Sequence, residues 1–472
     1  MKLLSKTLTS VAVSVTAAFS IFGNPAVAHH VEPDDTLLMD APSQRLSSPL
    51  VLPPDSSRQN FVLVGDRVSI VATGNNTGGQ FSLFDFIAPP QVGPAPHLHH
   101  EQFEAFYVLE GNLTFQLGNQ ATRTATPGTL VYVPPDSIHA WRNEGSTPAR
   151  FLVLTTPGVE GLFQAVGVPV TDDSALPPPP PFDPVIFDRA IAIGAEYGLI
   201  SPDTLIFPSP EFTVNEDGTP IQPVSVFRPG MTNSPVDAIV ALSDGTAIYP
   251  EDYSATQVPI SFTDRQRLQL VPVSIVNDGL VEGNETINLG LIDPREGAIP
   301  ALLQNTAVLT VLENNTLVES GGSNILNMGE VPNGFAFLPP STSRPAFSLG
   351  DEIFSFLATG NDVNGQFSLF DVLVPPQVGA EPLIYGQENE AYYILNGNVS
   401  FQLEDQVFTA TPETFVYLPK GNRYALTNLE TTPASALLIS APSGLENFFT
   451  QMGLPIGDNS NPPTSVPVCQ YF

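Results

Sequence analysis

The sequence is poor in basic residues, has one cysteine and has no long apolar run after its first 28 residues. Lysine and arginine number 16 against 48 aspartates and glutamates, which gives a formal net charge of −32 at pH 7. Nucleic acid and anionic membranes repel so acidic a chain, so we expect neither as a partner. The single cysteine, Cys469, excludes an internal disulfide. The lack of a later apolar run excludes a transmembrane helix there.

The first 28 residues have the three parts of a secretory signal peptide. Lys2 and Lys6 form a basic start, Val11–Phe22 is an apolar run, and Ala26–Ala28 is a small-residue cleavage site. We therefore expect an exported protein, either secreted or periplasmic, that is not anchored in a membrane.

Histidine is also scarce, and its distribution points to a metal site. Of six histidines, three lie at positions 97, 99 and 100 and a fourth is His139. In an alternating strand, His97 and His99 project from the same face, and Glu104 follows after a turn. Three imidazoles and one carboxylate form a site for a divalent transition metal with open positions, whether Fe, Mn, Cu, Ni or Co. Glu101 is the alternative to Glu104 as the carboxylate ligand.

The length and turn content favour several β-rich domains. A chain of 472 residues should hold about three domains. Its 49 prolines and 36 glycines separate short alternating runs such as Val68–Ala72 and Gln80–Ala88, a pattern typical of β-sandwiches and barrels. Val159–Val168 and Asp183–Ile200 indicate short helices.

The histidine segments also carry a family resemblance. Two spaced motifs resemble those of the cupin family: His97, His99, Glu104 and Gly111, then Gly128, Pro134, His139 and Asn143. Asp136 departs from the pattern, because the family usually has glycine there. The similarity runs from about Pro53 to about Asp203 and is to the quercetin-dioxygenase-like bacterial cupins. It implies a jelly-roll barrel in which His97, His99, Glu104 and His139 are the metal ligands.

The cupin resemblance implies an enzyme, and one alternative stays open. The enzyme would add dioxygen to a flavonol-like or other hydroxylated aromatic substrate, and catalytic Glu104 would help to take its proton. We expect Phe103, Tyr132 and Trp141 to line a substrate pocket, since planar rings suit aromatic walls. The alternative is a non-catalytic binding or structural protein of the envelope or extracellular space, whose domains are interaction modules.

The middle of the chain resembles another family. Asp244–Ala247, Asp252-Tyr253 and Asn277–Glu285 resemble motifs of the Calx-beta domain, an immunoglobulin-like sandwich. The resemblance implies Ca²⁺ as a ligand, and calcium takes six to eight oxygen ligands. The positions that match ligands of the calcium-binding members are Glu216, Asp252, Asp278, Glu282, Glu285 and Glu313. The alternative is a solvated acidic rim without an ion.

The last part of the chain repeats the first. Gln366–Asp371 duplicates Gln80–Asp85 letter for letter, so we predict a second cupin domain. In this copy the four ligand positions hold Leu383, Tyr385, Glu390 and Tyr424. Because only the carboxylate is kept, we expect the second cupin to be degenerate and to bind no transition metal.

We therefore predict an all-β protein in which two cupin jelly-roll barrels flank an immunoglobulin-like Calx-beta sandwich, with a few short helices. The expected segments are a signal peptide (1–28), a loose lead-in (29–52), a metal-binding cupin with closing helices (53–205), the Calx-beta domain (206–316) and the degenerate cupin (317–472). The expected partners are a small-molecule substrate or ligand and a second copy of the chain, bound through the cupin faces.

Overall fold

The computed structural model describes residues 48–54, 58–63, 65–118, 120–170, 184–230, 235–264, 266–277, 282–294, 299–300, 304–313, 334–340, 344–379, 382, 384, 387–403 and 406–456. All of them fall within one compact unit of the chain. The expected signal peptide and the positions Asp278, Leu383, Tyr385 and Cys469 lie outside the described residues.

Short strands make up most of the structure. The first part of the chain forms β1 (Leu50–Leu52), β2 (Asn60–Leu63), β3 (Asp66–Ala72), a 3-10 turn (Gly74–Thr77), β4 (Ser82–Ala88), β5 (Leu98–His99), β6 (Glu104–Glu110), β7 (Leu113–Leu117), β8 (Arg123–Ala125), β9 (Leu130–Val133), β10 (His139–Arg142), β11 (Ala149–Thr155), α1 (Val159–Val166), β12 (Val168–Val170) and α2 (Pro184–Glu196). The middle part forms β13 (Leu199–Ile200), β14 (Thr204–Leu205), β15 (Glu211–Asn215), β16 (Pro220–Gln222), β17 (Ser225–Phe227), β18 (Val236–Asp244), β19 (Gln257–Phe262), β20 (Leu268–Leu270), β21 (Glu285–Ile292), β22 (Ile299–Pro300) and β23 (Thr306–Leu312). The last part forms β24 (Ala336–Leu338), β25 (Ala346–Leu349), β26 (Glu352–Ala358), β27 (Ser368–Val374), β28 (Val378–Gly379), β29 (Asn389–Asn396), β30 (Val399–Leu403), β31 (Gln406–Ala410), β32 (Phe415–Leu418), β33 (Tyr424–Asn428), β34 (Ala434–Ala441), α3 (Leu445–Met452) and β35 (Leu454–Ile456).

Two sheets form the first barrel. One has the order β12-β2-β3-β4-β11-β6-β9-β24 and the other the order β10-β7-β8. Phenylalanines fill the interior, where the Phe86 ring stacks on Phe151 at 5.1 Å between centroids. Phe163 of α1 packs edge-on against Phe84 at 5.0 Å and closes one side of this core.

The second barrel repeats this plan. Its sheets have the orders β1-β32-β29-β34-β27-β26-β25-β35 and β28-β33-β30-β31. Phe354, Phe370 and Phe449 fill its interior, and Phe449 of α3 takes the place that Phe163 has in the first barrel. The duplicated sequence therefore folds twice in the same way.

The middle segment is a β-sandwich. A sheet with the order β16-β15-β23-β21-β18-β19 packs with the pair β17-β20 around a core that includes Phe212, Val226 and Leu289. Strand β19 alternates exposed and buried residues, because one face lies on the core and the other meets water. The predicted all-β fold of two barrels and a sandwich is thus confirmed. Among the described helices, none combines the length and the hydropathy that a membrane crossing requires.

The two barrels exchange strands. Strand β1, which precedes the first barrel, pairs with β32 of the second, with Leu50 opposite Tyr417. Strand β24, which precedes the second barrel, pairs with β9 of the first, with Ala336 opposite Tyr132. The expectation of a loose lead-in through residue 52 is wrong for its last three residues. The apolar triplet 50–52 satisfies the open edge of β32, which would otherwise expose unpaired backbone groups.

Aromatic side chains fill the interface between the barrels. Phe103 and Tyr132 of the first barrel lie 5.7 and 6.3 Å from the ring of Phe367 in the second. Phe81 meets Phe415 edge-on at 6.3 Å. These rings are almost fully buried, so the interface is a continuous apolar core shared by the two barrels.

The guanidinium of Arg150 bonds to both barrels at this interface. It donates to the Asp85 carboxylate at 3.1, 3.2 and 2.5 Å and to Oε1 of Glu413 in the second barrel at 2.6 Å. The Tyr393 hydroxyl donates to the same Asp85 carboxylate at 3.2 Å. The arginine therefore neutralises one carboxylate from each barrel at a place partly shielded from water.

Replacing Arg150 by methionine should lower the free energy of unfolding by about 3 kcal/mol, the low end for loss of one partner of a buried ion pair, since Glu413 is partly exposed. Chemical denaturation of the wild type and the variant measures the difference. The control is Arg423→Met, because Arg423 is exposed and donates one hydrogen bond, to the carbonyl of Pro382 at 2.8 Å. We expect a change within about 0.5 kcal/mol for the control, and equal effects of the two substitutions would contradict the prediction.

Candidate metal centre

Backbone pairing brings the two histidine segments together. His97 and His139 form an antiparallel bridge in which the His97 amide donates to the His139 carbonyl at 2.9 Å and the reverse bond is 2.8 Å. His99 lies in β5, which pairs with β13, and Glu104 begins β6. The four side chains named from the sequence therefore meet at one end of the first barrel.

The four side chains can share one ion. One ligand atom from each of His97, His99, Glu104 and His139 lies within 4.8 Å of the others. The Glu104 Oε2 atom is 2.8 Å from Nε2 of His139 and 3.3 Å from Nε2 of His99. All four residues are buried, with His139 at 0% exposure and Glu104 at 8%.

Backbone carbonyls orient two of the imidazoles. The Nδ1 atom of His97 is 2.9 Å from the carbonyl oxygen of Ala95, and the Nδ1 atom of His139 is 3.0 Å from that of Ser137. A ring whose Nδ1–H donates to a carbonyl keeps its Nε2 lone pair for a metal. Neither carbonyl carries a signal in the sequence, because any residue type can supply one.

His99 lacks a backbone acceptor of this kind. Its Nδ1 atom is buried without a hydrogen bond, as is the side-chain oxygen of Gln102. The Gln102 side chain interacts with the His99 ring and favours its protonated form. Gln102, which the sequence motifs did not indicate, is therefore a polar neighbour of the His99 ring.

The electrostatics of the site favour a bound cation. Burial lowers the pKa of His97 to about 3, and the nearby His139 and His99 rings act in the same direction. Burial also lowers the pKa of His99. Burial acts to raise the pKa of Glu104, but His99 and His139 outweigh it and bring that pKa to about 2. Neutral imidazoles beside an ionised carboxylate are the forms that ligate a metal.

The neighbouring polar residues face solvent. Glu101, the alternative carboxylate, has a side chain that is 82% exposed, so it does not join the four buried donors. Asp136, which stands where a glycine was expected, adopts a left-handed φ of 58°. Its amide donates to the His99 carbonyl at 2.9 Å, and its carboxylate lies 2.7 Å from Nδ1 of the exposed His100. The aspartate thus keeps the bend that the family makes with glycine.

Comparison with known proteins agrees with this geometry. Residues 84–155 match the cupin domain family, and residues 201–315 match the Calx-beta domain family. Both resemblances are confirmed. A curated relative, the quercetin 2,3-dioxygenase of Bacillus subtilis (strain 168), is 32% identical over 117 residues, which are 24% of this chain and 34% of the relative. The aligned part of the chain therefore spans about a third of that relative's length.

Solved structures of Bacillus subtilis oxalate decarboxylase also match. One, described by the Mn(II) centres of that enzyme, is 13% identical, has a TM-score of 0.42 and covers 84% of this chain and 77% of the other. Another, of the same enzyme at pH 4.6, is 12% identical, also with a TM-score of 0.42, and covers 84% and 76%.

The expected substrate-pocket residues lie elsewhere in the cupin domain. Phe103 and Tyr132 belong to the interface with the second barrel, so their assignment to a pocket beside the metal is wrong. Side chains alternate along a strand, and Glu104 faces inward, so Phe103 before it faces outward. Trp141 points inward but packs edge-on against Phe151 at 4.9 Å as part of the core. The aromatic ring that lies nearer the four donors is that of Phe106, whose centroid is 6.0 Å from that of the His139 ring. Phe106 is two residues after Glu104 in β6, so the two side chains lie on the same face of the strand.

In the second cupin a hydroxyl group stands at the place of the His139 imidazole. The Tyr424 hydroxyl, at the position of His139, donates to the carboxylate of Glu390, which is the counterpart of Glu104. The Tyr392 hydroxyl is 2.9 Å from that of Tyr424. Among the described residues, no metal-ligating cluster occurs in the second cupin. The carboxylate there is satisfied by hydrogen bonds.

The Calx-beta domain gathers part of its expected calcium set. The carboxylates of Asp252, Glu282 and Glu285 lie within 4.8 Å of one another. Glu313 instead accepts the amides of Glu282 and Gly283 at 2.7 and 3.0 Å, so it holds the loop rather than joining the cluster. Glu216 is buried and contributes a charge felt by Glu285.

The metal-free protein should lose stability on acidification. The ordinary pKa of His97, 6.5, is lowered to about 3 in the fold, so the folded state binds fewer protons in that range. Stability should therefore fall as the pH drops from about 6.5 towards 3. Glu104, whose pKa is lowered from 4.5 to about 2, acts in the same sense. Chemical denaturation in the presence of a chelator, repeated at several pH values, measures the slope.

Two matched substitutions test the source of this slope. In His97→Gln, stability should depend less on pH below 6.5, because the imidazole whose pKa is lowered in the folded state is absent. His100→Gln should not weaken this dependence, because the hydrogen bond to Asp136 raises the pKa of His100, whose contribution is present below 6.5 and lost at higher pH. An unaltered slope in His97→Gln would show the linkage to be wrong.

Proposed function

We propose that this protein is an exported metal-dependent dioxygenase that acts on a flavonol or a similar hydroxylated aromatic compound. The observation that carries the proposal is the meeting of His97, His99, Glu104 and His139 at one buried point of the first cupin. The signal-peptide pattern supports export, and the name of the Bacillus relative supports the reaction class.

The donor set fits a divalent transition metal. Imidazole and carboxylate ligands suit Fe, Mn, Cu, Ni and Co alike, so the donors do not choose among them. When bound, such an ion would supply Lewis acidity and a redox centre. His97 and His139 would bind through Nε2, because their Nδ1 atoms are engaged with carbonyls. Four protein donors would leave coordination positions open to a substrate.

Glu104 would act first as a ligand. A carboxylate with a pKa of about 2 holds a proton weakly, so it is a poor general base at neutral pH. In the metal-free protein its Oε2 atom is 2.8 Å from Nε2 of His139, and an ion bound to both residues would replace this contact. Proton transfer from the substrate to Glu104 would therefore require a carboxylate oxygen that the ion leaves free.

A binding role without turnover is the second candidate, and the burial of the site favours it. His97, His99, Glu104 and His139 are at most 8% exposed. Phe106 and Trp141 belong to the close-packed core beside them. A site that admits no aromatic substrate would hold the ion as a structural group or bind a smaller ligand.

The enzyme proposal predicts metal-dependent oxygen uptake. The purified protein is loaded with each of the five metals, the bound metal is counted, and oxygen consumption with quercetin is followed. Glu104→Gln should lower metal affinity by more than the roughly 100-fold that loss of an outer partner costs, and uptake should fall with it. The control Glu101→Gln changes an exposed neighbour and should leave both unchanged. Metal binding without uptake for every metal would refute the dioxygenase and support the binding role.

We further propose that the Calx-beta domain binds calcium through Asp252, Glu282 and Glu285, with Asp278 as an expected fourth ligand. Hard oxygen donors in one cluster support this assignment. Burial raises the pKa of Glu285 to about 7, and the charges of Asp252 and Glu282 add to the shift. A cation would relieve the repulsion among these carboxylates.

Calcium affinity should therefore rise with pH through about 7. Below that value Glu285 holds a proton that Ca²⁺ must displace, and above it the carboxylate is already ionised. Titration calorimetry in two buffers of different ionisation enthalpy counts the released proton. Glu285→Gln should weaken binding and abolish the pH dependence, whereas Glu211→Gln, at an exposed site at the start of β15, should not. An affinity that is flat from pH 6 to 8 would exclude Glu285 as a ligand.

A further inference from the structure

The Calx-beta domain touches the first cupin at the loop that leads to His97. Ala95 of this loop packs with Ile206 and Phe227 in a small apolar cluster. The Gln304 side-chain amide donates to the carbonyl of Gly93 at 3.2 Å. All of these side chains are buried, with Phe227 at 0% and Gln304 at 8% exposure. The apolar part of the contact is therefore closed to water, and its polar part is partly buried.

The same loop reaches the metal centre from the other side. The Ala95 carbonyl is the acceptor 2.9 Å from Nδ1 of His97. A Cβ atom built on Gly93 would lie 2.0 Å from the carbonyl oxygen of Trp141, so the loop lies directly on β10, which begins with His139. The loop is thus enclosed between the strand of one ligand and the neighbouring domain.

Backbone bonds within the cupin hold the two ends of this loop. It is irregular between β4 and β5, and it is bonded to the barrel through Gln91 and Val92 with Asn143, at 2.7 and 2.9 Å, and through His97 with His139, at 2.9 and 2.8 Å. The carbonyls of Gly93 and Ala95 point instead to Gln304 and His97. Between these two ends, Ala95 packs against Ile206 and Phe227 of the Calx-beta domain, so this packing contributes to the position of the Ala95 carbonyl.

Hydrogen bonds within the Calx-beta domain hold its side of the contact in place. Arg228 donates to both oxygens of Asp203 at 2.7 and 2.8 Å. This ion pair joins the segment before β14 to the residue that follows β17. The carbonyl of Gln304 accepts the amide of Phe207 at 2.8 Å, directly before β23. Bidentate arginine–carboxylate pairs fix orientation as well as distance. These bonds therefore fix the part of the Calx-beta domain that contacts the cupin loop.

We propose that the Calx-beta domain is a positioning element of the cupin metal centre. By holding Gly93 and Ala95, it fixes the carbonyl that selects the Nδ1–H tautomer of His97 and leaves Nε2 to the ion. Gln304 is the positioning residue, and it acts through the loop without touching a ligand. The inference rests on the proposed metal site, but its structural part concerns the metal-free protein as well. His139, whose Nδ1 faces Ser137, serves as an internal reference.

The acidic cluster is remote from this contact. In the pair β21–β23, Glu285 lies opposite Val311, whereas Gly290 lies opposite Thr306, close to Gln304. The two ends of these strands therefore carry different features, with the carboxylates at one and the cupin contact at the other. Substitution of Glu285 provides a control that alters the Calx-beta domain without altering the contact.

The test compares two variants, each of which lacks one side-chain amide donor. Gln304→Met removes the donor to the Gly93 carbonyl at nearly constant length, and Asn288→Leu removes one to the Asp244 carbonyl, at 2.8 Å, within the sandwich. The protein has six histidines, so long-range ¹H–¹⁵N spectra of histidine-labelled, metal-free protein resolve their tautomers. In Gln304→Met the His97 ring should become a mixture of tautomers while His139 stays as in the wild type. Asn288→Leu and Glu285→Gln should leave both rings unchanged.

A second readout uses cobalt as the probe. The affinity for Co²⁺ should fall about tenfold in Gln304→Met, the lower end for loss of an outer partner, and the visible Co²⁺ spectrum should change. Unchanged His97 signals and unchanged Co²⁺ affinity in a folded Gln304→Met protein would overturn the inference. If that variant does not fold, Ile206→Val, which trims one methyl group from the contact, decides by the same measurements.

The two proposals fail differently. If wild-type protein binds none of the metals but His97 still changes tautomer in Gln304→Met, the positioning role stands and the metal-dependent function falls. If metal binds and neither Gln304→Met nor Ile206→Val alters His97 or Co²⁺ affinity, the positioning role falls and the metal site stands.

Discussion

Glu104 of the first barrel and Glu390 of the second occupy the same buried place in the duplicated fold, where an ionised carboxylate needs partners. Glu104 is 8% exposed and Glu390 is 4% exposed. Moving an unpaired carboxylate from water into a protein interior costs several kcal/mol. The residue that faces the carboxylate from the second motif, His139 or Tyr424, therefore decides the chemistry that each barrel can support.

The two barrels satisfy this constraint in different ways. In the first barrel, imidazoles surround Glu104, and their nitrogen lone pairs can hold a cation together with it. In the second, the hydroxyl of Tyr424 donates to Glu390 and is itself next to that of Tyr392, so the buried charge is met without an ion. The second barrel has kept a structural task instead. It supplies β24 to the first barrel's sheet, receives β1 in return and covers the outer face of β6, the strand that begins with Glu104.

The sandwich has two ends with separate roles. One end gathers Asp252, Glu282 and Glu285, and the other packs on the loop before His97. The connection between the sandwich and the metal centre is therefore made of apolar packing and of the hydrogen bond from the Gln304 side chain to the Gly93 carbonyl, rather than of charge. Arg150 provides a similar link between the barrels, because one guanidinium satisfies a carboxylate from each. In both places, residues of one domain are thus held by contacts with a domain from a different part of the sequence.

The sequence by itself determined the four donors, the repeat and the β-rich fold class, because residue types, strand period and turn residues are local properties. Even the Asp136 departure was compatible with the bend, since aspartate tolerates a left-handed backbone. Only the tertiary structure decided which domain covers each face of a strand. It therefore placed Phe103 and Tyr132 in the interface between the barrels. It also decided the exchange of β1 and β24 and the acceptors for His97 and His139. Alternation tells which side chains share a face, but what packs on that face depends on edges and surfaces that exist only after the chain has folded.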